Sequence, residues 1–294
     1  MSDTTTVTAP LTPRQVMFRR ALRHRGLMFG LIVMAIVVFI AVFAPLLTAW
    51  SPYDQSLLAR MKPPVFLGGT WEHWLGTDAL GRDFWARLAY GARISLMIGL
   101  FAATISAIIG STMGILAGYF GGRVDLVVTY LINCRLAMPV VLVALAVVAL
   151  FGGSLQVVTA VLGLLLWDRF AVVMRASTLQ VRKLEYVAAA EVLGASLPRI
   201  LWKDILPNVM NNLIVIFTLE MAHAIILEAA LSFLGLGVQP PTPSWGLMIS
   251  EGKEMLLFEP WLITIPGVAL FFLVLSINMI GDGIRDVTAP EGRN

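Results

Sequence analysis

The sequence predicts an all-α polytopic membrane protein with six transmembrane helices. Three observations carry this. Hydrophobic residues make up 58% of the chain and charged residues only 13%, with a mean hydropathy of +0.84. A soluble domain sits near half apolar and a quarter charged, so the excess is membrane. Six runs are also long enough to span, given that a bilayer needs about 20 mostly apolar residues. Finally, Lys and Arg are distributed unevenly between the alternate connections.

The expected spans are residues 27–50, 94–119, 124–151, 155–174, 209–236 and 260–280. Five arginines, Arg14, Arg19, Arg20, Arg23 and Arg25, precede the first. That run is too long for the apolar core of a signal peptide and no small-x-small cleavage site follows, so it is expected to remain as a span. With the N-terminus inside, the inner side also holds Arg123, Arg175, Arg182, Lys183, Arg199, Lys203, Arg285 and Arg293. The outer side holds Arg60, Lys62, Arg82, Arg87, Arg93 and Lys253. The basic excess places both termini in the cytoplasm. The resulting organisation is a cytoplasmic tail 1–26, a first helix 27–50, an extracytoplasmic loop 51–93, a core 94–282 and a cytoplasmic tail 283–294. A cytoplasmic loop 175–208 interrupts the core. Residues 82–93 fit either a short interfacial helix, with Phe84 and Trp85 at headgroup depth, or the first turns of the second span.

Within the second span, Ala102, Ser106, Gly110, Gly114 and Gly118 recur every four residues. Lipid supplies no hydrophobic drive between helices, and small residues let backbones approach, so this stripe is expected to face another helix of the chain. Pro139 and Pro266 interrupt the third and sixth spans and can kink them. Ionisable residues at membrane depth are costly and usually line a pathway or pair with one another. Asn133, Arg135, Glu220, His223 and Glu228 are therefore candidate pathway residues. Glu220 and His223, three apart on one helix, can also pair. Asp168 and Arg169 are expected to be anchors at the cytoplasmic interface.

Several functions are excluded or disfavoured. Cys134 is the single cysteine, so no intrachain disulfide forms. The three histidines, His24, His73 and His223, are far apart, and no HExxH or GxxxxGK[ST] pattern occurs, so metal sites, catalytic residues and a nucleotide site are not expected in this chain. The basic residues report orientation, not nucleic-acid binding. The stretch Glu185–Asn208, EYVAAAEVLGASLPRILWKDILPN, is expected to form two short helical pieces broken at Gly194 and closed by Leu206-Pro207-Asn208. A structured polar loop between long apolar spans is a natural docking surface.

That loop resembles the EAA loop of ABC importer permeases. Further motifs resemble the second permease of the dipeptide, oligopeptide and nickel branch: LGTDALGRDFWARLAYGARISL at 75–96, GYFGGRVD at 118–125, WDRFAVVMR at 167–175, LEAALSFLGLGVQPPTPSWG at 227–246 and NMIGDGIRD at 278–286. The resemblance implies one N-terminal helix beside a five-helix type I importer core. It also implies a homologous second permease, two ATP-binding subunits that hold ATP and Mg, and an extracytoplasmic solute-binding protein. The coupling residues it implies are Glu185, Ala188, Ala189, Ala190, Gly194, Ala195, Leu206 and Pro207. Ala189 and Ala190 match the two alanines of the signature, Gly194 its glycine and Leu206-Pro207 its closing pair. Cargo implied by the resemblance is di- or oligopeptides, with nickel chelates, glutathione and oligosaccharides as alternatives.

The sequence departs from the family pattern in three places. The signature glutamate falls on Ala188. Tyr130 and Asn133 replace an Arg-x-x-Asp pattern before the Ala-x-Pro at Ala137–Pro139. Glu220 and His223 stand where small residues are more usual, which fits either a different cargo or an exchanged internal pair. A self-sufficient secondary transporter would require paired half-repeats. An intramembrane enzyme would need a nucleophile beside Glu220 or His223. Neither feature is found in the sequence.

Overall fold

The structure, a computed structural model, describes residues 13–288. Residues 1–12 and 289–294, with Arg293 and parts of both expected tails, lie outside the described residues. Among the described residues the fold is helical, and the only strand-like feature is an isolated bridge between Thr77 and Asp83. A short helix α1 (Pro13–Arg23) leads into α2 (Arg25–Leu47). A folded connection, residues 48–83, then reaches α3 (Phe84–Phe120). There follow α4 (Gly122–Leu136), α5 (Val140–Phe151), α6 (Leu155–Leu165), α7 (Trp167–Val181) and α8 (Glu185–Val192). A long rod comprises α9 (Leu197–Arg199), a π-helical segment Ile200–Ile205 and α10 (Leu206–Phe233). The chain ends with α11 (Trp245–Gly252) and α12 (Trp261–Thr288). Five helical stretches are long and apolar enough to cross a membrane, and the bent pair α4–α5 makes the sixth.

The bundle is organised by α3 and α7. Ser106 Oγ donates to the Gly163 carbonyl at 2.7 Å. A Cβ on Gly110 would sit 2.1 Å from the Trp167 oxygen, one on Gly114 2.5 Å from the Ala171 oxygen, and one on Gly118 2.7 Å from the Arg175 oxygen. The pairs advance by four residues on both chains, so the two helices run parallel with their backbones in contact over three turns. Close approach replaces the missing hydrophobic drive with dispersion contacts. The expected small-residue stripe thus faces a helix of the same chain.

The spans depart from the bounds expected: the fifth continues a helix that begins at Leu197, and the sixth, α12, runs to Thr288, eight residues past 280. The second begins at Phe84: residues 84–93 are the first turns of α3, and Asp83 caps the helix by accepting from Ala86 N at 2.7 Å. The third is not continuous, because α4 and α5 meet at 80°. Pro139 lacks an N–H and disfavours helical geometry in the residue before it, which ends α4. The fourth breaks at Leu166 but continues to Val181, two turns past the expected end. Arg175 can lie inside that helix because Asp125 accepts from both its Nε and Nη2.

The α3–α7 seam yields a prediction. Gly114→Leu should cost about 3 kcal/mol or more, since neither backbone can withdraw without moving a whole helix. The thermal midpoint of the purified variant in mild detergent checks this, with exposed Ile108→Ala as the neutral control. An unchanged midpoint for Gly114→Leu would remove the seam as the organising contact.

Candidate functional sites at the helix ends and in mid-span

The segment after α7 is built around Gly194. Helix α8 ends in a Schellman motif: Ala195 N donates to Ala190 O and Gly194 N to Glu191 O, both at 3.0 Å. Gly194 takes φ +74°, and a Cβ there would meet nothing, so the requirement is for backbone freedom. Ala190 and Ala195 pack with buried Val187, Ile200, Ile205 and Val209, which fastens α8 to the base of the α10 rod. Glu185, Ala188 and Ala189 face outward. So do Val192 and Leu193, 87% and 85% exposed, at the tip beside Gly194. Glu185 in the first turn complements the helix dipole. Tyr119 at the foot of α3 donates to Glu191 Oε1 at 2.8 Å, and the Arg182 guanidinium lies over the Tyr119 ring.

The second expected piece of this loop requires correction. Leu206 and Pro207 do not close a loop but lie within a continuous helix that starts at Leu197. Pro207 has no N–H, and its ring crowds the carbonyl four residues back, so the hydrogen-bond register slips to a π-turn. Leu206 N accordingly bonds Leu201 O, and the Asp204 carbonyl is taken by Asn208 Nδ2 at 2.7 Å and Tyr186 OH at 3.3 Å. Burial, and then the Asp204 charge, push the Tyr186 phenol above its ordinary value, so it stays a donor at neutral pH.

The polar residues at depth separate into distinct roles. Arg135 is buried and donates from Nε to Leu165 O at 2.6 Å and from Nη1 to Met138 O at 3.3 Å. These carbonyls stand at the two helix breaks, so the guanidinium satisfies acceptors that lipid could not. Glu228 is fully buried, and its Oε1 accepts from Ser232 Oγ and Ser244 Oγ at 2.8 and 2.9 Å, joining α10 to the cap of α11. Asn133 is exposed on α4. Glu220 and His223 do pair, with His223 Nδ1 3.1 Å from Glu220 Oε2. Arg169 joins them, its Nη1 3.1 Å from Glu220 Oε1. Arg169 lies in the first turn of α7, just past the break at Leu166, and the helix runs on to Val181. Asp168 beside it is buried in the same stretch.

Sequence reasoning missed an ionic network at the opposite end of the bundle. Asp78 Oδ2 accepts from Arg82 Nε and Arg87 Nη1, both at 2.6 Å, and both arginines also reach Glu251 on α11. Arg87 is 1% exposed. His73 pairs with Asp83 at 2.8 Å, so the 48–83 connection is a folded cap. The spacing of Asp78 and Arg82 hints at a pair, but Glu251 lies 164 residues from Arg87 and carries no sequence signal. Among the described residues no group of three or more His, Cys, Asp or Glu side chains is placed to hold a metal.

Comparison with known proteins adds the decisive observation. Residues 110–293 match the family described as binding-protein-dependent transport system inner membrane component, and residues 12–64 match the N-terminal TM domain of oligopeptide transport permease C. The chain belongs to this permease family. The permease is 38% identical over 96% of its length to a dipeptide transport system permease protein, DppC, of Alkalihalophilus pseudofirmus, covering 91% of that protein. It is 37% identical to DppC of Haemophilus influenzae, over 99% of both chains. A glutathione transport system permease, GsiD of Pectobacterium atrosepticum, is 36% identical, over 95% of this chain and 92% of that one. The MetNI methionine ABC transporter in an inward-facing conformation shares the fold, with a TM-score of 0.58 at 18% identity, covering 69% of this chain and 97% of that one. The permease is therefore a subunit of an ABC importer with the type I core.

The geometry of Arg135 separates packing from transport. Arg135→Met should lower stability by about 2–4 kcal/mol, because two carbonyls at the helix breaks lose their donor. Transport by the surviving protein should keep the order in which it takes competing solutes. A changed order at unchanged thermal stability would make Arg135 a pathway residue.

Proposed function

We propose that the permease forms half of a translocation pathway for di- or oligopeptides and receives the motion of an ATPase through residues 182–196. The observation that carries this reading is the tip of α8. Val192 and Leu193 stand almost fully in solvent beside a Schellman turn, on a helix whose other face is fastened to the bundle. Two exposed aliphatic side chains on a rigid support suit insertion into an apolar cleft of a partner. Ala188 and Ala189, without long side chains, allow that partner to approach. The glutamate absent from position 188 has no substitute in the capping of α8: no side chain caps its N-terminus, and backbone bonds form the turn at its C-terminus.

In this arrangement the 182–196 end faces the cytoplasm, and both chain termini lie on that side. A homologous second permease completes the pathway, and two ATP-binding subunits dock below, carrying ATP and Mg. An extracytoplasmic binding protein delivers the solute to the end formed by the 48–83 cap and α11. ATP favours one of two arrangements of the ATPases, and α8 passes that preference to the spans as rigid-body rocking. Hydrolysis belongs to the partner subunits. The peptide reading follows the dipeptide permeases to which the chain is similar. Glutathione, itself a tripeptide, falls in the same chemical class of short peptides, whereas nickel chelates and oligosaccharides would ask for different donors.

Purification of the tagged permease in mild detergent with mass spectrometry of its companions tests the assembly. Recovery of one further permease and ATP-binding chains is the expected result, and a stable solitary chain would overturn it. Gly194→Asp should leave the permease in the membrane yet reduce solute uptake about tenfold or more. An αL aspartate costs only about 1 kcal/mol, but the new charge sits at the docking tip. Normal uptake by this variant would sink the coupling role of the loop.

A further inference from the structure

Arg169 occupies an unusual position for a cation. It lies 14 residues past Leu155, where the Leu155–Val181 stretch begins, and its partner Glu220 lies 13 residues before Phe233, where the Leu197–Phe233 rod ends. At 1.5 Å per residue both therefore stand about 20 Å in from the helix ends on the side of the 48–83 cap. Glu220 is 0% exposed, yet the Arg169 side chain is 57% exposed. A guanidinium at that depth does not rest against acyl chains, so the open face of α7 beside α10 looks onto water or onto another protein chain.

The arrangement also holds the group still. Glu220 Oε1 takes one donor of Arg169, while Glu220 Oε2 is fixed by His223 Nδ1 from the next turn of α10. A guanidinium has five N–H donors in a planar fork. With one committed to a fully buried carboxylate, the outward part of the fork remains pre-organised for a second planar anion.

We propose that Arg169 is a midway binding point for the terminal carboxylate of the peptide cargo, positioned by Glu220 and His223. The inference rests on the peptide-pathway reading above and deepens it. Every peptide with a free C-terminus carries this group whatever its side chains, so a single contact deep in the bundle grips many cargos without selecting among sequences. Glu220 offsets most of the arginine charge, which keeps the hold weak. A transport site must release what it binds, and full charge neutralisation by the cargo alone would trap it.

The test uses cells carrying the complete transporter and a mixed library of di- and tripeptides, each supplied as the free acid and as the C-terminal amide. Uptake of each species is read by mass spectrometry. The wild type is expected to favour acids over amides. Arg169→Gln combined with Glu220→Gln removes both charges, so no carboxylate is left buried without its partner, and should narrow the acid-to-amide ratio about tenfold, the loss of one charge-assisted hydrogen bond. Arg169→Lys keeps the charge and loses the fork. It should narrow the ratio in part and supplies the same measurement if the double variant does not assemble. The binding protein is identical in all strains, so any change belongs to the permease. A ratio unchanged in the variants overturns the carboxylate role.

A second measurement separates this failure from failure of the pathway. Arg169→Cys is built with Glu220→Gln and Cys134→Ser and treated in the assembled transporter with a membrane-impermeant thiol reagent. Labelling supports an aqueous face, and protection overturns the pathway reading at this position, placing Arg169 against a partner chain. Absence of uptake of every free acid by the wild type would remove the peptide cargo and this inference together.

Discussion

Backbone contact between α3 and α7 is the constraint on which the rest of this bundle depends. Glycines at 110, 114 and 118 lie against successive turns of α7, and Ser106 adds a hydrogen bond to a backbone carbonyl one turn further along. Because the contact is backbone to backbone, it fixes register as well as distance: a shift of one residue would drive side chains into carbonyls. This register brings the end of α3 to Glu191 through Tyr119 and sets Arg175 opposite Asp125. It also fixes the height of Arg169. The seam thus determines where both the exposed tip and the mid-span ionic cluster stand.

The breaks in the spans follow from a second constraint, that no backbone group at membrane depth can be left to lipid. Pro139 and the turn at Leu166 each strand carbonyls, and Arg135 answers both from one side chain. Pro207 creates the same problem nearer the helix foot, where the side chains of Asn208 and Tyr186 supply the donors. The polar residues of the spans are therefore of two kinds. Arg135 and one carboxylate oxygen of Glu228 bond to neighbouring helices and their caps, and so serve packing. Arg169 combines an anchored charge with an open face.

The legibility of the sequence varied with the range of the interaction concerned. Spans, the small-residue stripe, the turn at Gly194 and the Glu220–His223 pair are local patterns, repeating every three or four residues or hinging on one glycine, and each was readable. The breaks were harder. Proline marks a possible kink, but the 80° turn at Pro139 also depends on Arg135 reaching across to Leu165, thirty residues away. The end of the fourth span was misread because the charged residue Arg175 looked like a span end, and its neutralisation by Asp125 is a contact fifty residues distant. The Arg87–Glu251 link was invisible for the same reason. Periodicity locates faces, whereas the partner of a buried charge is set by tertiary register.

The same register bears on how motion could cross the molecule. α8 is tied to α3 through Glu191 and Tyr119 and to the base of α10 through the cluster around Val187. The α3–α7 seam cannot slide, so α3 and α7 move as one piece. Displacing α8 therefore acts on two bodies, the α3–α7 pair and the α10 rod, whose π-turn lies beside α8. Arg169 stands on one body, and Glu220 and His223 stand on the other. A shift of α10 against α7 by even part of a helical turn would change the 3.1 Å Arg169–Glu220 contact. On the proposed function, the anchored cation sits at an interface where a push on the tip of α8 would alter electrostatics deep in the bundle, and grip on a carboxylate and the position of the ATPases would be coupled through this ion pair.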